Sequence, residues 1–133
     1  MAVTSTETVP VVSEADIVKV RRCVRESAAK LGFSLVDQTK VVTAASELAR
    51  NTVIHGRGGR MELATLNGPR IGIRLIFEDK GPGIPDIDLA LRDGFTTGSG
   101  LGLGLGGSKR LVNEFELKSR VGEGTKVTVI RWK

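Results

Sequence analysis

The stretch SELARNTVIH, residues 46–55, sets Glu47, Asn51 and His55 four residues apart in succession. In a helix that spacing is slightly more than one turn, so the three side chains project from roughly one face. A carboxylate and a carboxamide side by side next to an apolar face could offer hard oxygens to magnesium. That ion takes few protein ligands and keeps water and phosphate oxygens for the rest. The same residues also read as an exposed Glu–Asn pair with a histidine at the helix end. His55 has no second histidine or cysteine nearby and is rejected as a metal ligand.

A second constellation, EDKGPGIPD (residues 78–86), places Asp79 directly after an apolar run, with Gly81 and Gly83 around Pro82. Its carboxylate is either a turn former or an acceptor for the exocyclic amine of a flat ligand. In the second case the glycines let backbone approach where a Cβ would collide. A third, TTGSGLGLGLGGSK (residues 96–109), has glycine at nearly every second position. Glycine inside a helix or strand costs about 0.5–1 kcal/mol relative to alanine, so this run is not ordinary core. Gly102, Gly104 and Gly107 fit G-x-G-x-x-G, yet no strand precedes them, and a dinucleotide fold needs strand, turn and helix in that order. A P-loop needs Gly-Lys-Ser/Thr, whereas here Ser108 precedes Lys109. Two readings are left: a mechanical loop, or a flap leading into a helix N-terminus whose free N–H groups and dipole suit phosphate. VGEGTKV (residues 121–127) is most simply a hairpin turn with glycines at positive φ.

These groups need elements to hold them. TVPVV (residues 8–12) is expected to be a short extended segment, and residues 1–7 to be flexible. A helix capped by Ser13 follows, burying Ile17, Val20, Val24, Ala28 and Leu31 and stopping at Gly32. Its other face carries Arg21, Arg22 and Arg25, either a solvated surface or a docking site for an acidic partner. Asp37 can cap a second helix that buries Val41, Ala45, Leu48, Ala49 and Thr52 and ends before Gly56. RMELATL and RIGIRLIFED, joined by Asn67-Gly68-Pro69, are strands, the second alternating at period two. IPDIDLALRDG is a short helix or lid segment, a third long helix is expected from about Leu105 to Val112, and EFELKS and TKVTVIRW form a hairpin. The adjacent strand pairs predict an α+β fold, a mixed and mostly antiparallel sheet with helices on one face. There is no internal repeat and no linker, so residues 1–133 are expected to form one domain.

Composition narrows the partners. The 133 residues are 40% hydrophobic and 26% charged, values of a globular chain long enough to bury a core. A net charge of +5 favours acidic or polyanionic partners without singling out nucleic acid. With one tryptophan, four phenylalanines and no tyrosine, there is no evident base-stacking platform. Cys23 is the sole cysteine, which excludes an internal disulfide or a cysteine zinc cluster. No apolar run approaches the ~20 residues of a membrane span, and MAVTSTETVPVV lacks the order of a secretory signal. A cytoplasmic location is expected.

In order, ELARN (47–51), DKGPG (79–83), GSGLGLGL (98–105) and GEGT (122–125) resemble the N, G1, G2 and G3 elements of the GHKL ATP-binding superfamily of gyrase B, Hsp90, histidine kinases and MutL. The resemblance covers roughly residues 12–131. Within the superfamily the chain is similar to the anti-sigma-factor-type serine/threonine kinases of partner-switching pathways, most of all to those that work with the stressosome. The resemblance implies a Bergerat-type α/β sandwich using ATP and Mg²⁺. It implies that Asp79 bonds the adenine amine, that Gly81 and Gly83 shape the pocket, and that Thr125 joins the adenine-side network. Asn51 would ligand Mg²⁺, Gly98, Gly100, Gly102 and Gly104 would form the lid, and Glu47 would be the general base. Implied partners are STAS-domain proteins, a PP2C-type phosphatase activated downstream and, in an alternative reading, a sigma factor sequestered directly. A nucleotide-sensing module with negligible turnover is the second alternative. The short Ile84–Thr97 span and the lack of an upstream phospho-accepting histidine helix or a transducer domain disfavour a histidine kinase or a conformational ATPase.

Overall fold

The apolar stripes read from the sequence meet face to face in two layers. The computed structural model describes residues 2–91 and 104–133. Its elements run β1 (Ala2–Val11), α1 (Glu14–Lys30), α2 (Leu35–Ile54), β2 (Gly59–Asn67), β3 (Gly72–Asp79), α3 (Ile87–Ala90), α4 (Gly104–Arg110), β4 (Glu114–Arg120) and β5 (Gly124–Trp132). The strands form one sheet in the order β1-β2-β3-β5-β4. Where a mixed sheet is expected, every pairing among the described residues is antiparallel. Val9, Val11, Met61, Leu63, Ile73, Leu75, Phe77, Val127 and Val129 alternate onto one face and are buried. They join Ile17, Val20, Val24 and Ala28 of α1 and Val41, Ala45, Leu48 and Ala49 of α2 in one hydrophobic cluster. The other face mixes Ala64, Leu66 and Ile76 with two charge pairs, Arg60–Glu78 at 2.6 Å and Arg74–Glu62 at 3.7 Å.

The ends of the elements refine the sequence reading. β1 begins at Ala2, so residues 2–7, expected to be flexible, pair with β2. Their TSTET run has no apolar alternation to announce a strand, but Thr4 and Ser5 hydroxyls bond Thr65 Oγ1 at 2.7 and 2.8 Å. Ser13 occupies the N-cap of α1 without a side-chain bond; instead the residue before it is tied down, Val12 N–H donating to Asp16 Oδ2 at 2.9 Å. Gly32, at φ +83°, closes α1 in a Schellman turn, with Phe33 N–H donating to Ala28 O and Gly32 N–H to Ala29 O, each at 3.0 Å. α4 is shorter than the helix expected over 105–112. It stops at Arg110, where the Leu111 N–H folds back to Ser108 O, and Asn113 N–H then enters the sheet on Ile130 O. Three glycines in a seven-residue helix supply little propensity to extend it.

The cap of α2 is Ser34, whose Oγ accepts the Asp37 N–H at 3.1 Å. Asp37, expected to be the cap, instead bonds Arg131 at 2.6 Å, tying α2 to β5. The Arg131 hydrogen bond is the main cause that holds the Asp37 carboxyl below its ordinary range. A depressed pKa contributes stability that is complete above the unfolded value, about 3.9, and is lost as pH falls through the folded one. Urea midpoints for the parent and Asp37→Asn should therefore differ at neutral pH and converge as the solution is acidified towards pH ~2. A gap that stays constant across that range would show that the pair contributes nothing through its charge.

Candidate functional site

The sheet order builds the site. Because β5 returns between β3 and β4, the last residue of β3, Asp79, lies opposite the second residue of β5, Thr125. The C-terminal half of α2 crosses this strand end. Between them lies a cavity of about 470 Å³ with a mostly apolar wall that includes Leu48, Phe77, Ile84, Leu89, Leu105 and Val127. Its polar lining is sparse: Glu47, Arg50, Asn51, Thr52 and His55 from α2, then Asp79, Asp86 and Thr125. An apolar slot with a few placed polar groups is the form of a small-molecule site.

Six of the residues expected to bind or act on a ligand reach this one cavity, Glu47, Asn51, Asp79, Gly83, Gly104 and Thr125, and His55, rejected as a metal ligand, lines it too. Gly81 does not line it. It packs behind Asp79 against the Gly56 backbone, in a neighbouring depression shared with Arg57 and Lys80. Gly98, Gly100 and Gly102 fall outside the described residues. Arg21, Arg22 and Arg25 are exposed on α1, and none of them makes an ion pair among the described residues. His55 is the C-cap of α2, its N–H donating to Asn51 O at 2.9 Å.

Asp79 is the electrostatic centre of the site. Burial is the main influence on its carboxyl and raises its pKa; N–H donation from Gly81, at 2.9 Å, and from Thr125 partly offsets this, while neighbouring Glu78 adds to the rise. Two backbone donors leave further lone pairs for a ligand. An ionised Asp79 can therefore accept from a donor entering the slot.

The sequence reading missed several parts. A Cβ on Gly56 would strike the Asp79 carboxylate, and one on Gly124 would strike the Asp79 and Lys80 backbone. Both glycines are spacers that let the chain close around Asp79. Gly83, at φ +79°, sits against the Arg120 and Val121 backbone and locks the 82–84 loop to the β4–β5 turn. The Gly122 N–H donates to Pro82 O at 2.8 Å across the same junction. The local signal for Gly56 was its place after the α2 cap; for the hairpin contacts it was only the strand register.

The donor set bears on a bound cation. Among the described residues no three His, Cys, Asp or Glu side chains cluster to hold a metal. The Asn51 carboxamide offers one hard oxygen on the cavity wall, one turn beyond the Glu47 carboxylate. A single such donor fits magnesium carried in with a phosphate ligand and does not fit an all-protein cage.

Known proteins resemble this chain in sequence and in fold. The family profile of histidine kinase-, DNA gyrase B- and HSP90-like ATPases matches residues 36–133. Serine/threonine-protein kinase RsbT of Bacillus subtilis (strain 168) is 46% identical over 125 residues, which is 93% of this chain and 94% of the relative. An anti-sigma F factor of Thermoanaerobacter sp. (strain X514) is 31% identical over 119 residues, 84% of this chain and 82% of the relative. Among solved structures, the RsbU and RsbW domains of a Mycobacterium tuberculosis protein align over 98% of this chain and 33% of theirs, with a TM-score of 0.66 at 22% identity. The mycobacterial sensor histidine kinase MprB aligns over 96% of this chain and 97% of its own, with a TM-score of 0.56 at 18% identity. At those identities the two structures speak to fold alone.

Proposed function

This chain belongs to the histidine kinase-, DNA gyrase B- and HSP90-like ATPase family, and from that premise we propose that it is an ATP-dependent protein serine/threonine kinase of a partner-switching pathway. The observation that carries the reading is the convergence of Glu47, Asn51 and Asp79 on one apolar slot. The 46% identity to a serine/threonine-protein kinase over nearly the whole chain supports it.

Bound Mg²⁺–ATP supplies an electrophilic γ-phosphoryl group with ADP as the leaving group. The chain's own residues do the rest by position and charge. Asp79, the last residue of β3, accepts from the adenine amine. Asn51 would hold the magnesium ion through its side-chain oxygen. Glu47, one turn earlier on the same helix, accepts the proton of a partner's serine or threonine hydroxyl as that oxygen bonds to phosphorus and the β–γ bridge breaks. Gly104, with Gly98, Gly100 and Gly102 of the same glycine run, is the proposed phosphate lid. Residues 1–133 act as one kinase domain.

The proposed substrates are STAS-domain proteins, and the proposed consequence of phosphorylation is release of the kinase to activate a PP2C-type phosphatase. Incubation with γ-labelled ATP and candidate STAS partners, followed by mapping of the modified residue, tests the kinase reading; label on a partner serine or threonine is expected. Similarity to an anti-sigma F factor favours a second reading, in which a sigma factor is bound directly, but at the lower identity of 31%. A pull-down offering sigma, STAS and PP2C proteins together separates the two. Retention of sigma alone contradicts the first. No helix among the described residues is long and apolar enough to cross a membrane.

The three α1 arginines are the proposed docking surface for an acidic partner. They share the solvent-facing side of α1 with Val18, which is 51% exposed and lies one to two turns before them. Reversing Arg21, Arg22 and Arg25 to glutamate should weaken partner binding about ten-fold or more and leave nucleotide affinity within two-fold, roughly the scatter of distant sites. Equal loss of both in calorimetry would point to misfolding and remove the assignment.

A further inference from the structure

Ser119 lies on β4 in register with Thr125, behind the cavity wall. Its hydroxyl makes three contacts: with the Ile84 N–H at 2.8 Å, the Gly124 carbonyl at 3.0 Å and Thr125 Oγ1 at 2.9 Å. A serine hydroxyl has one proton to give and two lone pairs to accept with. The Ile84 N–H can only donate, and the Gly124 carbonyl can only accept. The single proton therefore goes to Gly124 O, since otherwise two oxygens would face each other at 3.0 Å with no hydrogen between them. The bond to Thr125 must then run the other way, with the threonine donating. Every hydrogen-bonding position of Ser119 is filled in this arrangement.

The consequence lies on the other side of Thr125. Thr125 lines the slot and its proton is spent on Ser119, so its hydroxyl has only lone pairs to offer a ligand there. The Asp79 carboxylate, in register with Thr125 across the β3–β5 pair, likewise only accepts when ionised. We propose that Ser119 is a positioning residue that sets base specificity: by drawing off the Thr125 proton it makes the Thr125–Asp79 wall acceptor-only, selecting a base that presents an exocyclic amine over one that presents a carbonyl. This rests on the nucleotide reading above. Ser119 touches no ligand; it acts through Thr125. Without it, Thr125 is free to turn its proton into the slot and donate to a carbonyl.

Calorimetry with ADP and inosine diphosphate, both with magnesium, reads this, because inosine replaces the amine with a carbonyl that an acceptor-only wall cannot meet. Its ring N1–H is a donor from which Asp79 can accept in parent and variant alike. The parent should prefer ADP. In Ser119→Ala the ratio of the two dissociation constants should shrink about three- to ten-fold, one neutral hydrogen bond's worth, and Ser119→Thr, which keeps the hydroxyl, should restore it. A role confined to bracing the Ile84 loop would weaken both nucleotides equally and leave the ratio unchanged; that result, or a ratio that grows, overturns the proposal. Thr125→Val offers a route that does not disturb the Ile84 bond. It should shrink the ratio by itself, and adding Ser119→Ala should change the ratio no further; an unchanged ratio in Thr125→Val also overturns the proposal. Failure of the folded parent to bind either nucleotide would overturn the nucleotide reading itself, and this inference with it.

Discussion

Glu47→Gln is expected to retain ATP and lose phosphotransfer. The substitution keeps the length and polarity of the side chain on the cavity wall but removes the basic carboxylate. A positioned general base contributes about 10²–10⁴-fold in rate, so single-turnover transfer to a cognate partner should fall by that factor. Nucleotide affinity should stay close to parental, because Glu47 acts on the partner's hydroxyl and not on the base. The split between rate and binding distinguishes the assignment from a purely structural one. Transfer at the parental rate would show that another group takes the proton.

Asp79→Asn should do the opposite and lose binding. The carboxylate sits at the strand end with two backbone donors already committed to it, from Gly81 and Thr125. A hydrogen bond to a charged group is worth about 1.5–3 kcal/mol, so the dissociation constant for ADP should rise roughly ten- to hundred-fold. The pH dependence carries a second signature. Burial raises the Asp79 pKa, and the ionised form is the one that accepts from the amine. Parental affinity should therefore weaken as pH falls, beginning above the range of an ordinary carboxylate at about 3.9, and Asp79→Asn should flatten that profile. The sign for folding is the reverse of that for Asp37: a raised pKa contributes stability that is complete below the unfolded value and is lost as pH rises through the folded one. Binding that is unaffected by the substitution, at any pH, would remove Asp79 from the site.

What the sequence disclosed and what it hid follow from the range of the interactions involved. Glu47 and Asn51 were legible because helical periodicity alone puts them on one face, and Asp79 because it closes a period-two strand. The hairpin across VGEGTKV was legible from its glycines, which take φ of +82° and +109° at Gly122 and Gly124. Asp37 and Ser34 stand three residues apart and either could cap α2; only Arg131, 94 residues further along the chain, decides between them by engaging the carboxylate. β1 was read too short because its TSTET run is held by pairing with β2, some 60 residues away, and not by a pattern of its own. The return of β5 between β3 and β4 is likewise non-local, yet it is what sets Thr125 beside Asp79 and Ser119 behind Thr125. The spacer role of Gly56 could not be read until the end of α2 was laid over the end of β3.

Titration of the folded parental chain with ADP and magnesium in a calorimeter, its fold checked by circular dichroism in the same buffer, tests the central claim most directly. Saturable uptake of one nucleotide per chain, sharply weakened in Asp79→Asn, is the expected result. A folded protein that takes up no adenine nucleotide would contradict the account from the slot outward.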